Sequence, residues 1–520
     1  MTHTDHTDPI VMAYTLHRTI RRFRPVALLL SSVMLTACAV GPDYDAPPLV
    51  ATGDGWSQAD TVTSAPTDLA RWWSTLGDPV LERLIDTALA ANLDLRVAAA
   101  RIDEARALRD RVAGEQLPTA GASTSVNRRR QSENGPLPIG SMPGLETTQT
   151  IYDAGFDAAW EADLFGAKQR ALEGAGAQLQ AVEADAQGVR MRIVAEVARA
   201  WFTAAGAGQE LHTQQAMLET LEHTLELVRK RQALGDASAS DVDTAYAQWA
   251  AVHATLPDIQ ARQRAAVLSL GVLLGAPPEH ELALLNTAAT PLTLLALPVG
   301  ERADVLRRRP DVLAAERRLA ASMADIGVAT AELFPKLSIG IGGGFQALAT
   351  GDWFNSSSTR FSILPLISWR LFDGGRVRAE IRAREATGQQ AALAYEQAVL
   401  TALGDAERAL SDYHAGLDAL GRRQAALKAT RRSHDHAKAR YAAGDIALVE
   451  LLAAERVLYE AETANVHAHT TAAVQLVALY KALGGGWEAT ATKSDTATPA
   501  QGLGVSIPSH AANASAAPRP

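Results

Sequence analysis

The chain of 520 residues contains one cysteine, Cys38, so no disulfide can form within it whatever the redox state around it. Aromatic residues are sparse at 5% against 21% charged residues, and beyond the N-terminal apolar run no apolar stretch of about 18 residues occurs. Membrane-spanning helices are thereby excluded. Any crossing of a bilayer must use strands, whose signal per segment is far weaker. Positive charge is not in excess. A formal net charge of −9 argues against a nucleic-acid partner, which requires a basic face. The cluster Arg307-Arg308-Arg309 is the exception, and because it runs into Pro310-Asp311, a helix start, it reads as local structure. There is no Gly-Lys-Ser/Thr phosphate loop: Gly342-Gly343-Gly344 falls inside a strand pattern and Gly484-Gly485-Gly486 ends a helix. No serine or cysteine nucleophile stands in a recognisable setting. His434-Asp435-His436 and His467-Ala468-His469 place histidines two apart on helices, hence on different faces, so neither a metal site nor an enzyme is expected.

The N-terminus reads as an export signal over residues 1–37. Arg18, Arg21, Arg22 and Arg24 precede the apolar run from Val26 to Leu35, which is shorter than the ~20 residues of a spanning helix. Leu35-Thr36-Ala37-Cys38 follows and resembles a lipobox, so the expectation is a diacylglyceryl group on Cys38 and no other cofactor. Ala39 stands where an aspartate tends to mean inner-membrane retention, which implies the outer membrane. Residues 38–70 form the lipidated N-terminal segment. Residues 488–520, rich in Ala, Thr, Ser, Gly and Pro, lack the apolar surface to offset ordering entropy and read as a disordered tail.

Between these ends the chain is duplicated, as residues 71–290 and 291–487. Asp94, Ala98, Arg101, Ala107 and Pro118 recur 217 residues on as Asp311, Ala315, Arg318, Ala324 and Pro335. Gly166, Arg231, Gly235 and Leu274-Gly275 recur 209 residues on as Gly375, Arg440, Gly444 and Leu483-Gly484. Each half is therefore one supersecondary unit. Gly166 to Leu234 has no proline and is rich in helix formers, with Leu172, Ala175, Leu179, Val182, Ala186, Val189 and Ile193 spaced as a coiled-coil seam. Such a helix is ~100 Å long. It should stop at Gly235-Asp236 and return from Ser240-Asp241, with Val242, Ala245, Trp249 and Val252 on one face and a break near Leu256-Pro257. The second copy turns at Gly444-Asp445 and returns through Leu448 and Leu451.

Strand periodicity is sharpest before Gly166. Tyr152, Ala154, Phe156, Ala158, Trp160, Ala162 and Leu164 alternate with Asp153, Gly155, Asp157, Ala159, Glu161 and Asp163. In the second half Phe361, Ile363, Pro365, Ile367 and Trp369 alternate with Arg360, Ser362, Leu364, Leu366, Ser368 and Arg370, and Leu337, Ile339 and Ile341 with Ser338, Gly340 and Gly342. Two hairpins give four strands. If they lie in lipid, four strands cannot close a barrel or leave an edge bare, so several chains must share one pore. Three or four chains would leave a conducting interior, whereas a soluble sheet with one wet face is the alternative. The carboxylates Asp153, Asp157, Glu161 and Asp163 would make the interior acidic, with Arg360 and Arg370 able to pair with them.

These features resemble a TolC-type outer-membrane efflux factor of the lipidated NodT/OprM-like branch. The resemblance runs from Cys38 through Trp487. It is carried by Gly41-Pro42-Asp43-Tyr44, Trp72-Trp73 with Asp78-Pro79, Trp160 to Gly166, Leu306-Arg307-Arg308-Arg309-Pro310-Asp311-Val312, Phe334-Pro335, Leu371 to Arg376, and Leu479 to Trp487. It implies a mainly α fold with β: duplicated long helix hairpins, plus four strands contributed to the transmembrane β-barrel of a homotrimer, in outer-membrane lipid. It implies a passive duct for small molecules, docked on a periplasmic adaptor and an inner-membrane pump of the RND type. A type I protein-secretion outlet and a non-conducting coiled-coil lipoprotein remain the rival readings. The family closes its tunnel at the helix-hairpin turns, which match Arg231, Gly235 and Asp241 in the first half and Arg440, Tyr441, Gly444 and Glu450 in the second. Relatives often carry an aspartate nine residues after the second turn glycine; Ala453 stands there, and Glu450 could supply the ring.

Overall fold

The computed structural model describes residues 39–46, 55–57, 69–132, 146–287, 292–294 and 299–487. Cys38, the export signal and the C-terminal tail lie outside the described residues. The elements run α1 (Pro79–Ala91), α2 (Leu93–Gly114), β1 (Thr119–Arg130), β2 (Thr148–Ala162), α3 (Ala167–Ala233), α4 (Ala239–His253) and α5 (Leu256–Leu273). The second half gives α6 (Arg302–Arg308), α7 (Pro310–Ala331), β3 (Lys336–Ala347), β4 (Thr359–Ser368), α8 (Arg376–Ala442) and α9 (Leu448–Ala482).

The duplication extends to single contacts. Helices α3 and α8 are both 67 residues long, about 100 Å, and α2 and α7 are both 22 residues. The indole N–H of Trp160 donates to the Gln116 carbonyl at 2.9 Å, and its counterpart Trp369 donates to Leu333 at 3.0 Å. One asymmetry stands out: Pro257 falls where α9 has Val466, so the first half returns as α4 plus α5 and the second as one 35-residue helix. The seam expected on α3 is only half-buried as far as Val189. The buried stripe there is Gly174, Ala181 and Ala184 instead, because α7 packs closely and admits only small side chains.

The four strands form one antiparallel sheet in the order β1-β2-β3-β4. Since α2 and α7 enter the sheet and α3 and α8 leave it, all four helix junctions lie at one end and both hairpin tips at the other. Trp369 and Arg370, expected inside the last strand, fall beyond its end at Ser368, and Asp163 falls beyond Ala162. Asp163 instead accepts the Gln169 backbone N–H at 2.8 Å, and Arg370 lies 3.5 Å from Glu332. Both therefore belong to the strand-to-helix corner, not the ladder.

The main core gathers the motifs scattered along the chain. Trp72 stacks on Tyr480 with centroids 4.5 Å apart, and the Trp201 indole donates to the buried Asp78 carboxylate at 2.8 Å. Asp78 also caps α1 by accepting from Val80 and Leu81. Arg309 is buried: it bonds Asp311 and Asp405 and the carbonyls of Ala402 and Ala482, so this member of the arginine cluster is structural. Val40 donates to the Phe165 carbonyl at 3.1 Å, and Arg170 bonds Asp43, which fixes residues 40–43 at the base of the sheet.

Candidate functional sites at the hairpin turns and on the strand faces

Both turns close in the same way. The Asp236 N–H bonds the Arg231 carbonyl at 2.8 Å and the Asp445 N–H bonds the Arg440 carbonyl at 2.9 Å. Between them Gly235 and Gly444 take φ of +85° and +82°, a left-handed conformation that glycine adopts without steric cost. Ser238, not Ser240, caps α4. Its hydroxyl accepts from the Asp241 N–H, and the Asp241 carboxylate accepts from the Ser238 N–H at 2.8 Å. That backbone bond, then the Ser238 hydroxyl, holds the Asp241 carboxyl below the usual range. Glu450 reaches back to the Ala447 N–H at 3.4 Å in the equivalent place. Both carboxylates are therefore engaged in starting helices.

Several contacts join the two hairpins, among them the Gln248 side chain donating to the Leu452 carbonyl at 3.1 Å, and one of them lies close to the turns. Arg231 Nη1 donates to the Tyr441 hydroxyl at 2.8 Å, with its guanidinium 5.8 Å from the Tyr441 ring centroid. Arg440 is exposed at the end of α8. Behind the turns, Met217, Leu221, Leu225, Ala245, Val252 and Leu452 form a small core of their own. Ala453 is exposed, whereas Glu455, two residues on, is buried. Burial pushes the Glu455 carboxyl up to about 7, against the opposing pull of Lys438 and Thr224. No local pattern in the sequence marks this group, because its burial depends on α3 and α8, remote in the chain.

A sign follows for pH. Below the ordinary value of 4.5 the Glu455 carboxyl is neutral in packed and opened hairpins alike. Between there and about 7 only the opened form has lost its proton, so packing weakens as pH rises and levels off above that point. Protection of α9 amides against hydrogen exchange, corrected for the intrinsic rate at each pH, is expected to be lower at pH 8 than at pH 5, on scales of about one proton. Glu455→Gln should flatten the difference. An unchanged slope in the variant would assign the dependence elsewhere.

The ladder register sorts every strand residue to one of two faces. Val126 pairs with Tyr152, Ala122 with Phe156, Ala158 with Ile341, Trp160 with Ile339, and Ile341 with Ile363, which makes one face apolar across all four strands. Its large side chains are exposed, Phe361 at 86% and Ile367 at 72%. Trp160 marks the helix end of this face, and at the other end Trp353 contacts both Tyr152 and Phe354. The eight residue steps from Trp160 to Tyr152 span about 26 Å, matching the ~25 Å apolar band between aromatic girdles of a transmembrane barrel.

The opposite face carries Asp153, Asp157 and Glu161, as expected. It also carries Arg129, Lys336 and Arg360, paired in register beside Gln149, Ser368 and Gly344. On the described strands the three carboxylates therefore share their face with three cations. Arg360 donates to Asp153 at 2.8 Å, and Gln346 donates to the same carboxylate at 2.9 Å. Glycine makes the first contact possible, since a Cβ on Gly155 would stand 2.6 Å from the Gly343 carbonyl and 3.3 Å from Arg360. The paired histidines diverge as the helix geometry predicted: His467 faces Glu210 at 3.3 Å and His469 faces the Leu292 carbonyl at 3.1 Å.

An open sheet, apolar on one side and polar on the other, carried on helical hairpins about 100 Å long, defines a channel-forming subunit of an outer membrane. The chain belongs to the outer membrane efflux protein family, whose profile matches residues 84–276 and 302–485. It is 32% identical over 469 residues to the outer membrane protein OprJ of Pseudomonas aeruginosa, covering 89% of this chain and 96% of that one. The solved structure of the outer-membrane channel OprN superposes with a TM-score of 0.79 at 36% identity, over 86% of this chain and 100% of that one. The open state of the Neisseria gonorrhoeae MtrE outer membrane channel superposes with a TM-score of 0.77 at 27% identity, over 87% and 99%. The protein is thus an outer-membrane efflux channel component, with its helices on the periplasmic side.

Proposed function

We propose that three copies of this chain close a twelve-stranded barrel over a helical tunnel and act as the passive outlet of a tripartite pump for small molecules. The observation that carries this reading is the open four-stranded sheet with one lipid-compatible face. Its two bare edges demand partners in a bilayer, and three copies give a bore wider than the eight-stranded barrels that side chains fill. The channel supplies no energy and makes or breaks no covalent bond. A periplasmic adaptor and an inner-membrane RND pump would deliver the substrate. Cys38 is the proposed lipidation site, supported by the position of Ala39, the next residue, against Gly166 at the base of the sheet. There an acyl chain enters the inner leaflet directly.

In the resting channel the hairpin turns would converge, held within each subunit by the Arg231–Tyr441 bond, and adaptor binding would favour the splayed arrangement by differential contact. The open state solved for the relative MtrE supports a reading with two states. Mass measurement of the detergent-solubilised protein together with planar-bilayer conductance tests the proposal. A trimer that conducts is expected; a monomer, or a trimer without conductance, supports a structural lipoprotein instead.

The balanced interior predicts weak ion selectivity. Arg360→Ala would free Asp153 in every copy, and the potassium-to-chloride permeability ratio should rise on the order of a few-fold. Reversal potentials in a salt gradient measure it. An unchanged ratio would mean that the Asp153 face does not line the conducting path.

A further inference from the structure

We propose that the inner wall of the barrel carries, at its helix end, a binding site for planar aromatic cations, framed by Leu364 and Leu366 on β4 and by Asp157 and Glu161 on β2. The site rests on the proposed duct, whose wall this face forms. Three rows of the ladder build it. Asp157, Gly342 and Ser362 stand in register, then Ala159, Gly340 and Leu364, and last Glu161, Ser338 and Leu366, nearest the helices. Leu364 and Leu366 are 63% and 51% exposed. Apart from Ile151 near the other end, they are the only large apolar side chains that the described strands turn to this polar face.

Between the leucines and the carboxylates lies a bare floor. Ala159 and Gly340 leave the backbone uncovered across two strand spacings, about 10 Å, the length of a fused aromatic ring system. Packing within the chain does not ask for glycine there. A Cβ on Gly340 would meet only Leu364, at 3.8 and 3.9 Å, an ordinary contact, whereas one on Gly344 would stand 2.3 Å from the Ala154 carbonyl. A strand glycine free of such a need leaves room for an approaching group.

Charge sets the sign of the ligand. Arg360 turns to Asp153, Arg129 stands beside Gln149 at the far end, and Lys336 bonds Glu332 below the ladder. Lys168 donates to the Glu161 backbone carbonyl at 3.0 Å and not to its carboxylate. Asp157 and Glu161 thus make no ion pair among the described residues. A neighbouring copy's β1, beside β4, would add Thr119, Gly121, Ser123, Ser125 and Asn127 to this stretch of wall, none of them charged and none large and apolar. A ring lying flat on the floor would cover the leucines and bring its cationic group to Glu161.

The test uses the full-length protein in phosphatidylcholine nanodiscs, with empty discs as the blank, and two probes of one shape, 1-pyrenemethylammonium and 1-pyrenesulfonate. Bound probe is counted by equilibrium dialysis. The native protein should retain the cation over the anion, and Leu366→Ser and Glu161→Gln should each raise the half-saturating concentration about fivefold. Added salt should weaken cation binding more in the native protein than in Glu161→Gln. Ser125→Ala, on the same face away from the site, should match the native protein. Should either site variant fail to give a trimer by mass, Gly340→Val is read in its place, since its side chain covers the floor and should exclude the ring. Equal retention of both probes, or unchanged half-saturation in the site variants, would overturn the site while leaving a conducting trimer intact. A monomeric or non-conducting protein would remove duct and site together, so the two failures are told apart.

Discussion

Channels carrying Arg231→Ala or Tyr441→Phe are expected to sit open far more often than the native channel in planar bilayers. Each change removes the 2.8 Å bond between the two hairpins, and Arg231→Ala also removes the guanidinium from over the ring. At an exposed site this link is worth about 1 kcal/mol. In the proposed trimer, three copies releasing together would shift the opening equilibrium by about 3 kcal/mol, on the order of a hundredfold. Because both side chains serve one bond, the double variant should open no further than Arg231→Ala alone. Asp241→Ala should behave differently. It removes a helix cap and frays the start of α4, yet leaves the inter-hairpin bond in place, so opening should stay close to native. Native closure in both Arg231→Ala and Tyr441→Phe would place the gate elsewhere on the hairpins.

The second large effect concerns folding. Arg309→Met is expected to lower unfolding stability by about 1–3 kcal/mol, because it leaves the Ala402 and Ala482 carbonyls unpaired in the core while the carboxylate partners, 46% and 42% exposed, turn to water. Arg309 bonds Asp311 at 2.6 Å and Asp405 at 3.4 Å, and donates to the Ala402 and Ala482 carbonyls, both at 3.3 Å. It therefore ties the start of α7 to the middle of α8 and the end of α9. Burial alone would lower its pKa, but the Asp311 and Asp405 carboxylates raise it above the ordinary arginine value. Lysine offers three donors from one point and cannot reach two carboxylates and two carbonyls, so Arg309→Lys should rescue little. Arg307→Ala is the contrast. That side chain is 67% exposed beside Asp304, and its loss should stay within about 0.5 kcal/mol. Denaturant melts of the solubilised protein measure both, and equal melts for the Arg309→Met variant and the native chain would refute the structural role.

Much of this architecture is legible in the sequence because its signals are local. A proline-free run between Gly166 and Gly235 can only be one long helix, and an alternation such as Tyr152-Asp153-Ala154 assigns faces before any partner strand is known. The offsets of 217 and 209 residues predict equal helices in both halves, and α3 and α8 match in length. What escapes such reading depends on neighbours. Alternation cannot say where a ladder ends, so Asp163 and Arg370 read as strand residues although both lie in the corner beyond. Likewise, charge on β2 alone suggests an acidic interior. Arg129 and Lys336 come from strands whose pairing only the fold can supply. Glu455 is invisible for the same reason, while Asp241 and Glu450 draw notice for a position that helix capping accounts for.

The unsealed sheet has a genetic consequence. In the proposed shared barrel, each copy's fitness is tied to that of its fellows. An allele bearing a proline midway along β1 would deny a neighbour its ladder, yet keep the helices that recruit companions. Such an allele should be dominant in a merodiploid cell, poisoning wild-type product, whereas an early nonsense allele of the same gene should be recessive.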